Sequence, residues 1–260
     1  MRSLQEQYDD IGKRYEAVKR LPAARYPERT SFLEAWGNMA GRTVVDLGCG
    51  TGHYTRLLRD LGAASIIGVD ASPAMVEAAQ QPDPGVRYEV ADAASWRQPD
   101  EAVDLVSAAF LLNSAADTAE LQALCDAAAS HLRPNGRLVA LVQNPDYDPD
   151  GPPMTKYGFD FVPLTETAIG WRARVHAHIE PDVRFETTFV RRGVYEYCLY
   201  AAGFHDITWE PITIGAEGLA AHGADYWVDY LDNPPIHVLS VRAGDQVAPA
   251  APAEPRRPTR

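Results

Sequence analysis

The chain has 260 residues, and its 46% hydrophobic content is sufficient for the core of one α/β domain with an insertion. Its formal net charge of −12 argues against a nucleic-acid partner, because nucleic-acid-binding surfaces are usually basic. No apolar run is long enough to span a membrane and the first residues lack the apolar stretch of a signal peptide, so we expect a cytoplasmic protein without a membrane partner.

The first 40 residues are expected to be helical. The stretch 3–20, which contains Tyr8 and Tyr15, has the pattern of a helix or a pair of turns, and a second helix is predicted at 28–39. We therefore assign 1–40 to an N-terminal helical region that precedes the core.

Segments typical of strands and of helices alternate between residues 41 and 143. The predicted strands are 43–47, 65–70, 86–92, 103–110 and 136–143. The predicted helices are 53–62, 72–80 and 117–132. This alternation favours an α/β fold with a mostly parallel sheet covered by helices on both faces.

The regular alternation stops after the fifth predicted strand. Residues 144–192 begin with a loop rich in proline, glycine and aromatic residues and continue as paired strands at 171–180 and 184–191. We interpret 144–192 as a β-rich insertion near the carboxyl ends of the core strands, where an acceptor substrate would enter.

The chain then returns to the core at 193–242. This stretch is predicted to contain a helix at 193–202 and strands at 205–214 and 236–242, which bring the sheet to seven strands. Residues 243–260 are rich in alanine and proline with few large apolar side chains, and we predict that they are disordered.

The strongest local signal is the glycine-rich stretch VVDLGCGTGHYT, residues 44–55. A strand that leads through Gly48 and Gly50 into a helix lets the backbone approach a ligand closely, and Asp70, at the end of the next strand, suits a ribose diol. Asp46 would repel the pyrophosphate of NAD but would attract a cationic ligand such as the ammonium group of S-adenosylmethionine (SAM). The loop therefore favours SAM over a dinucleotide.

Five segments together resemble the successive motifs of class I SAM-dependent methyltransferases over residues 42–142. They are VVDLGCGTG, GVDAS, VADA, VDLVSAAFLLNSA and HLRPNGRLVALV. The resemblance implies a Rossmann-like fold with 41–143 as the SAM-binding core and 1–40 as a helical lid. The residues that it implies around SAM are Tyr8, Tyr15, Asp46, Gly48, Cys49, Gly50, Asp70, Ala71, Met75, Asp92, Ala93 and Phe110.

The same resemblance implies individual roles for some of these residues. Asp46 and the glycines would surround the methionine portion of SAM, and Asp70 would bind the ribose hydroxyls. Met75 would pack near the adenine, Asp92 would accept from the adenine amine, and Phe110 would close the site.

The insertion contains an alternating basic pattern in GWRARVHAHIE, residues 170–180. Arg172, Arg174, His176 and His178 would share one face of an extended strand, and we call them the Arg/His ladder. Arginine forks suit phosphate oxygens, so the ladder is a candidate anion clamp for a diphosphate, while a solvated edge strand would show the same alternation. Aromatic residues of this region that could contact an acceptor are Tyr157, Phe159, Trp171, Trp209 and Tyr226. Glu166 is the candidate catalytic base.

The whole chain also resembles a bacterial branch that includes prenyl-diphosphate C-methyltransferases and toxoflavin-pathway N-methyltransferases. On the strength of the ladder we expect a small, anionic acceptor, with C-methylation of a prenyl diphosphate preferred. Mg²⁺ would then bridge the diphosphate, although no metal motif in the sequence shows it. The alternatives are N-methylation of a small heteroaromatic compound and a SAM-binding protein without catalysis. A homodimer is left open.

Overall fold

The computed structural model describes residues 14–81, 85–97 and 101–244. Tyr8 and the tail beyond residue 244 lie outside the described residues, so the predictions made for them are not examined further. No helix among the described residues is both long enough and apolar enough to span a membrane.

A seven-stranded sheet forms the centre of the molecule, with the strand order β3-β2-β1-β4-β5-β10-β9. Its strands are β1 (Thr43–Leu47), β2 (Ser65–Asp70), β3 (Arg87–Val90), β4 (Val103–Ala109), β5 (Leu132–Gln143), β9 (Phe204–Glu210) and β10 (Ile236–Ala243). All neighbours among β1 to β5 are parallel, whereas β10 runs antiparallel to both β5 and β9. The predicted Rossmann-like fold with a mostly parallel seven-stranded sheet is confirmed.

Helices cover both faces of this sheet. They are α1 (Tyr15–Val18), α2 (Arg29–Trp36), α3 (His53–Asp60), α4 (Pro73–Gln80), α5 (Thr118–His131), α6 (Arg192–Ala201), α7 (Ala216–His222) and α8 (Val228–Asp232). A π-helical segment, Ala24–Glu28, leads into α2. Neighbouring strand residues alternate between two hydrophobic clusters, with Val44 in one and Val45 in the other, as expected for a sheet buried on both faces.

The insertion forms a separate antiparallel sheet of β6 (Phe159–Glu166), β7 (Gly170–Ala177) and β8 (Val183–Val190), with β7 in the centre. The paired strands predicted at 171–180 and 184–191 correspond to β7 and β8. The prediction did not include β6, because its first residues lie in the stretch interpreted as a loop. Pro163 lies within β6, although proline usually argues against a strand because it has no backbone N–H to donate. β6 is an edge strand, where a missing N–H is tolerated. Its last residue, Glu166, is exposed.

Candidate cofactor and acceptor site

A cavity of about 370 Å³ opens at the carboxyl ends of β1, β2 and β4. This edge is where ligands bind in open α/β sheets. The predicted cofactor residues that line it are Tyr15, Asp46, Gly48, Cys49, Gly50, Asp70, Ala71, Met75, Asp92, Ala93 and Phe110. We call it the cofactor cavity. The structure thus brings these residues together, while their individual contacts with SAM stay predictions.

Asp46 is a buried carboxylate in the wall of this cavity. Its side chain is 1% exposed, and Thr55 donates a hydrogen bond of 2.6 Å to Oδ2. Burial raises the pKa of Asp46 to about 6, and the nearby charge of Asp70 acts in the same direction. Among the described residues, Oδ1 of Asp46 has no hydrogen-bond partner. A buried, unpartnered carboxylate oxygen in a cavity wall fits a cationic hydrogen-bond donor such as the SAM ammonium.

The glycine loop takes its shape from left-handed backbone. Gly48 and Gly50 have φ angles of 69° and 53°, which non-glycine residues rarely adopt. Asp70 fixes the loop from the next strand, because its Oδ2 accepts from the Gly50 amide at 2.8 Å. A Cβ at Gly50 would meet nothing within 4 Å, so the backbone there faces open space that a ligand can approach.

Phe110 and two residues near the chain start separate the cofactor cavity from a second, smaller one of about 40 Å³. Tyr15, Lys19 and Phe110 line both cavities. Phe110 is held in a left-handed conformation with φ of 60°, a strained backbone of the kind that persists where the surrounding structure enforces it. The second cavity lies between the helical start of the chain and the inner face of the insertion, and we call it the acceptor cavity.

A buried ion pair forms the polar wall of the acceptor cavity. Lys19 Nζ lies 2.5 Å from Glu28 Oε1, and both side chains are 7% exposed. The same oxygen accepts from the hydroxyl of Tyr54 at 2.5 Å. Burial, followed by the charge of Glu28, raises the pKa of Tyr54 well above its usual value, so its hydroxyl stays protonated and donates. Nζ of Lys19 also lies 4.7 Å from the Tyr54 ring centroid and 5.2 Å from that of Phe110.

Two buried amide side chains add unpaired acceptors to this cavity. Asn113 and Gln143 are each 4% exposed and line the wall. Asn113 donates to the hydroxyl of Thr187 at 2.9 Å. The Asn113 Oδ1 and Gln143 Oε1 atoms have no hydrogen-bond partner among the described residues. The rest of the wall is largely apolar and includes Phe159, Phe161, Val175 and Phe185.

The structure corrects the placement of the Arg/His ladder. Val175, between Arg174 and His176, lines the acceptor cavity, so the alternating ladder residues point to the opposite face of β7. Each is near a carboxylate there. Arg172 and Arg174 lie 2.9 and 3.7 Å from Glu186. His176 lies 2.9 Å from Asp182 and His178 lies 2.7 Å from Asp160. The ladder is not a clamp in the acceptor cavity.

Glu166, which was predicted to be the catalytic base, also lies outside the acceptor cavity. Glu166 is absent from the described walls of both cavities, and it ends β6 with an exposed side chain. Glu166 pairs with Trp171 across β6 and β7. Its carboxylate therefore lies at the far edge of the insertion and not in the acceptor cavity. The structure places Glu28 in the acceptor-cavity wall instead.

Four of the five aromatic candidates pack elsewhere. Trp171 stacks on Phe189 with ring centroids 4.1 Å apart. Tyr157 is fully buried and donates to the carbonyl of Tyr226, and the Tyr226 hydroxyl donates to the carbonyl of Lys156. The guanidinium of Arg192 lies 4.3 Å from the ring centroid of Trp209. Only Phe159, of the five, is among the described residues that line the acceptor cavity.

The sequence-based prediction missed the polar residues of the acceptor cavity. Lys19 and Glu28 are nine positions apart in a region interpreted as a lid, and no spacing rule pairs them. Asn113 lies in the motif VDLVSAAFLLNSA, but within that motif the resemblance implied a role only for Phe110. A polar residue within such an apolar run was the one available signal.

Comparisons with known proteins agree with this architecture. Residues 44–136 match the family model described as a methyltransferase domain. The trans-aconitate 2-methyltransferase of Variovorax paradoxus is 36% identical over 135 residues, which are 52% of this chain and 48% of that protein. The protein of the same name from Delftia acidovorans is 33% identical over 171 residues, or 65% and 60% of the two chains. The chain thus spans about half the length of the curated relatives it matches first.

Solved structures share the fold at low sequence identity. The SAM-dependent methyltransferase of Mesorhizobium loti aligns with a TM-score of 0.60 and 22% identity, covering 83% of this chain and 97% of the other. A SAM-bound amino pentose methyltransferase of Micromonospora echinaspora aligns with a TM-score of 0.57 and 20% identity, covering 88% and 96%. Residues 44–136 therefore match a methyltransferase domain, and the chain shares the fold of SAM-dependent methyltransferases.

Proposed function

We propose that this chain transfers a methyl group from SAM to a small, uncharged, largely apolar acceptor that carries an N–H or O–H group. The observation that carries the proposal is the contact between the two cavities, which share Tyr15, Lys19 and Phe110 as walls. An acceptor in the smaller cavity would lie directly beside a cofactor in the larger one, and such proximity is a main source of rate acceleration.

The residues of the cofactor cavity fit SAM. When bound, SAM supplies a methyl group on a positively charged sulfur. Asp46 would hold the ammonium group through its unpartnered Oδ1, and the open backbone at Gly50 leaves room for the methionine portion. Asp70 and Asp92 line the same cavity and supply carboxylates for the ribose hydroxyls and the adenine amine.

The walls of the acceptor cavity indicate an uncharged molecule. Lys19 is the single cation among the described residues of this wall, and Glu28 neutralises it at 2.5 Å. The remaining surface combines apolar side chains with the unpaired amide oxygens of Asn113 and Gln143. As they stand, these amide oxygens can accept a hydrogen bond from a donor group of the ligand. Because the orientation of an amide is assigned from the hydrogen-bond network, a flipped amide would instead donate to an acceptor group of the ligand. A flat molecule with one polar edge satisfies both parts of the wall.

Glu28 is the residue we assign to receive the proton that the acceptor loses. It is the one carboxylate among the described residues of the acceptor-cavity wall. The acceptor nitrogen or oxygen forms a bond to the methyl carbon, the carbon–sulfur bond breaks with its electron pair on sulfur, and the N–H or O–H proton passes to the carboxylate. Lys19 and Tyr54 hold that carboxylate in place.

This acceptor class differs from the names of the relatives and from the prenyl-diphosphate expectation. A tricarboxylate or a diphosphate would bring several negative charges into a wall with one neutralised cation, at a large desolvation cost. The ladder no longer supports a diphosphate, because it lies on the far face of β7. The Mg²⁺ expectation depended on that diphosphate, and the described wall contains Glu28 as its only carboxylate.

One assay separates these candidates. The purified chain is incubated with methyl-labelled SAM and a panel of neutral heteroaromatic N–H and O–H compounds, trans-aconitate, and isopentenyl, dimethylallyl and geranyl diphosphates, with Mg²⁺ and with EDTA. We expect label in neutral compounds and no effect of EDTA. Transfer only to diphosphates or to trans-aconitate would overturn the acceptor class. Binding of S-adenosylhomocysteine without transfer to any compound would favour a non-catalytic SAM-binding protein.

A further inference from the structure

The far end of the Arg/His ladder forms a compact cluster of metal-ligating groups on the outer face of the insertion. Asp160, His176 and His178 each offer one ligand atom, and these three atoms lie within 4.8 Å of one another. Asp160 and His176 are direct partners across the β6–β7 pair. His178 follows two positions later on the same face, and its backbone N–H donates to the carbonyl of Gly158 at 2.9 Å.

The carboxylate of Asp160 is held for this role. The Thr155 hydroxyl donates to Oδ1 at 2.5 Å, while Oδ2 lies 2.7 Å from Nε2 of His178. These contacts fix the orientation of the carboxylate beside the two histidines, as is common for carboxylates that bind metals.

His176 presents its Nε2 to the same group of atoms. This nitrogen is buried, and Oδ2 of Asp182 lies 2.9 Å away from it. The rings of His176 and His178 have centroids 4.2 Å apart. Both imidazoles therefore present a ring nitrogen to the same small space as the Asp160 carboxylate, where a cation can bind.

We propose that Asp160, His176 and His178 bind a divalent transition metal, with Zn²⁺ as the best match, at an unassigned site on the insertion. Two imidazole nitrogens and a carboxylate oxygen are ligands that Zn²⁺ accepts in tetrahedral geometry. Asp182 is the nearest group for the fourth position, and Arg184 also contacts it at 3.2 Å. His176 on β7 and His178 just beyond its end are the part of the ladder that this site explains.

The site joins parts of the chain that also form the acceptor cavity. Asp160 lies between Phe159 and Phe161, and His176 follows Val175, so ligands and cavity-lining residues alternate along the same two strands. Metal binding would cross-link β6 and β7 and limit the movement of the apolar wall on their other face. The site does not depend on the acceptor class proposed above.

Isothermal titration of the tag-free full chain with ZnCl₂, after EDTA treatment and desalting, tests the site. We expect one Zn²⁺ per chain and a rise in melting temperature on Zn²⁺ addition. Asp160→Asn, His176→Ala and His178→Ala should each weaken Zn²⁺ binding at least tenfold. His205→Ala is the matched control, because His205 is likewise a partly exposed histidine near an aspartate, Asp206, but belongs to the core sheet. It should leave binding unchanged.

Co²⁺ provides a readout that a purely structural role would not move. The wild-type chain loaded with Co²⁺ should show the intense visible absorption of tetrahedral coordination, and His178→Ala should lose it. If an alanine variant fails to fold by circular dichroism, His178→Gln replaces it and should show the same loss. Equal Zn²⁺ binding by the wild type and the His178 variants, or no stoichiometric binding by the wild type, would overturn the proposal.

Discussion

Lys19 and Glu28 form an ion pair inside the protein, with Nζ 2.5 Å from Oε1, at the wall shared by the two cavities. The pair connects α1 to the π-helical segment before α2, and Tyr54 joins it from α3 by donating to the same oxygen. A buried pair of this kind is weak evidence for stability, because its desolvation cost offsets its attraction. Its position beside the acceptor cavity fits the proton-accepting role proposed above for Glu28.

Removing one partner should therefore be worse for stability than removing both. Lys19→Met should lower the free energy of unfolding by about 3–5 kcal/mol, since it leaves a buried carboxylate uncompensated. The double variant Lys19→Met with Glu28→Met should recover most of that loss in urea unfolding but not the methyl-transfer rate. Recovery of both stability and rate would show that the pair has no part in catalysis.

Cofactor affinity should depend on pH through Asp46. Its pKa of about 6 means that the carboxylate ionises between pH 5 and 7, and only the ionised form attracts an ammonium group. The affinity for S-adenosylhomocysteine should fall by about tenfold between pH 7 and 5, as measured by calorimetry. Asp46→Asn should bind weakly at both values and lose this dependence. A pH dependence that persists in Asp46→Asn would assign it to another group.

The unliganded protein should respond to pH in the opposite sense. The folded pKa of Asp46 lies above its unfolded value, so between about pH 4 and 6 the folded state binds the extra proton and stability from this group falls as pH rises. Asp46→Asn should therefore gain stability relative to the wild type at pH 7 and lose that gain near pH 4. Urea unfolding at the two pH values measures it.

The arginines of the ladder should be dispensable for acceptor binding. Arg172→Ala and Arg174→Ala should leave KM for the acceptor within about twofold, because both side chains pair with Glu186 on the face of β7 away from the cavity. Gln143→Leu, which changes the cavity wall, should raise KM at least tenfold by the loss of a buried hydrogen bond. Steady-state kinetics with the acceptor found in the labelling assay decide between these sites. A large KM effect in the Arg174 variant would restore the anion clamp.

The three cysteines should resist alkylation in the folded chain. Cys49, Cys125 and Cys198 are buried, and burial raises the pKa of each thiol above its usual range, most strongly for Cys49 and Cys125. Thiolates are the reactive form, so native protein should take up almost no iodoacetamide over minutes at pH 8, while unfolded protein should take up three equivalents by mass spectrometry. Rapid modification of Cys49 in the native chain would contradict the burial of its thiol.

Local sequence patterns were sufficient to predict the fold of the SAM-binding core and the group of residues that lines its cavity. The alternation of strands and helices, the glycine loop and Asp70 are local patterns, and parallel strands necessarily bring their carboxyl ends to one edge. Eleven residues predicted around SAM consequently line one cavity. Most of them lie at or just beyond the carboxyl ends of β1 to β4, whereas Tyr15 comes from α1 and Met75 from α4.

The tertiary structure alone decided the acceptor half. Alternation along β7 shows that Val175 and the ladder lie on opposite faces of the strand, but it does not show which face meets the cavity. Packing against the core determines this, because the apolar face with Val175 is the one that is buried. Lys19, Glu28, Asn113 and Gln143 come from four separate stretches of chain. No local pattern joins them, because their proximity arises only when the helical start of the chain and the insertion close over the same end of the sheet.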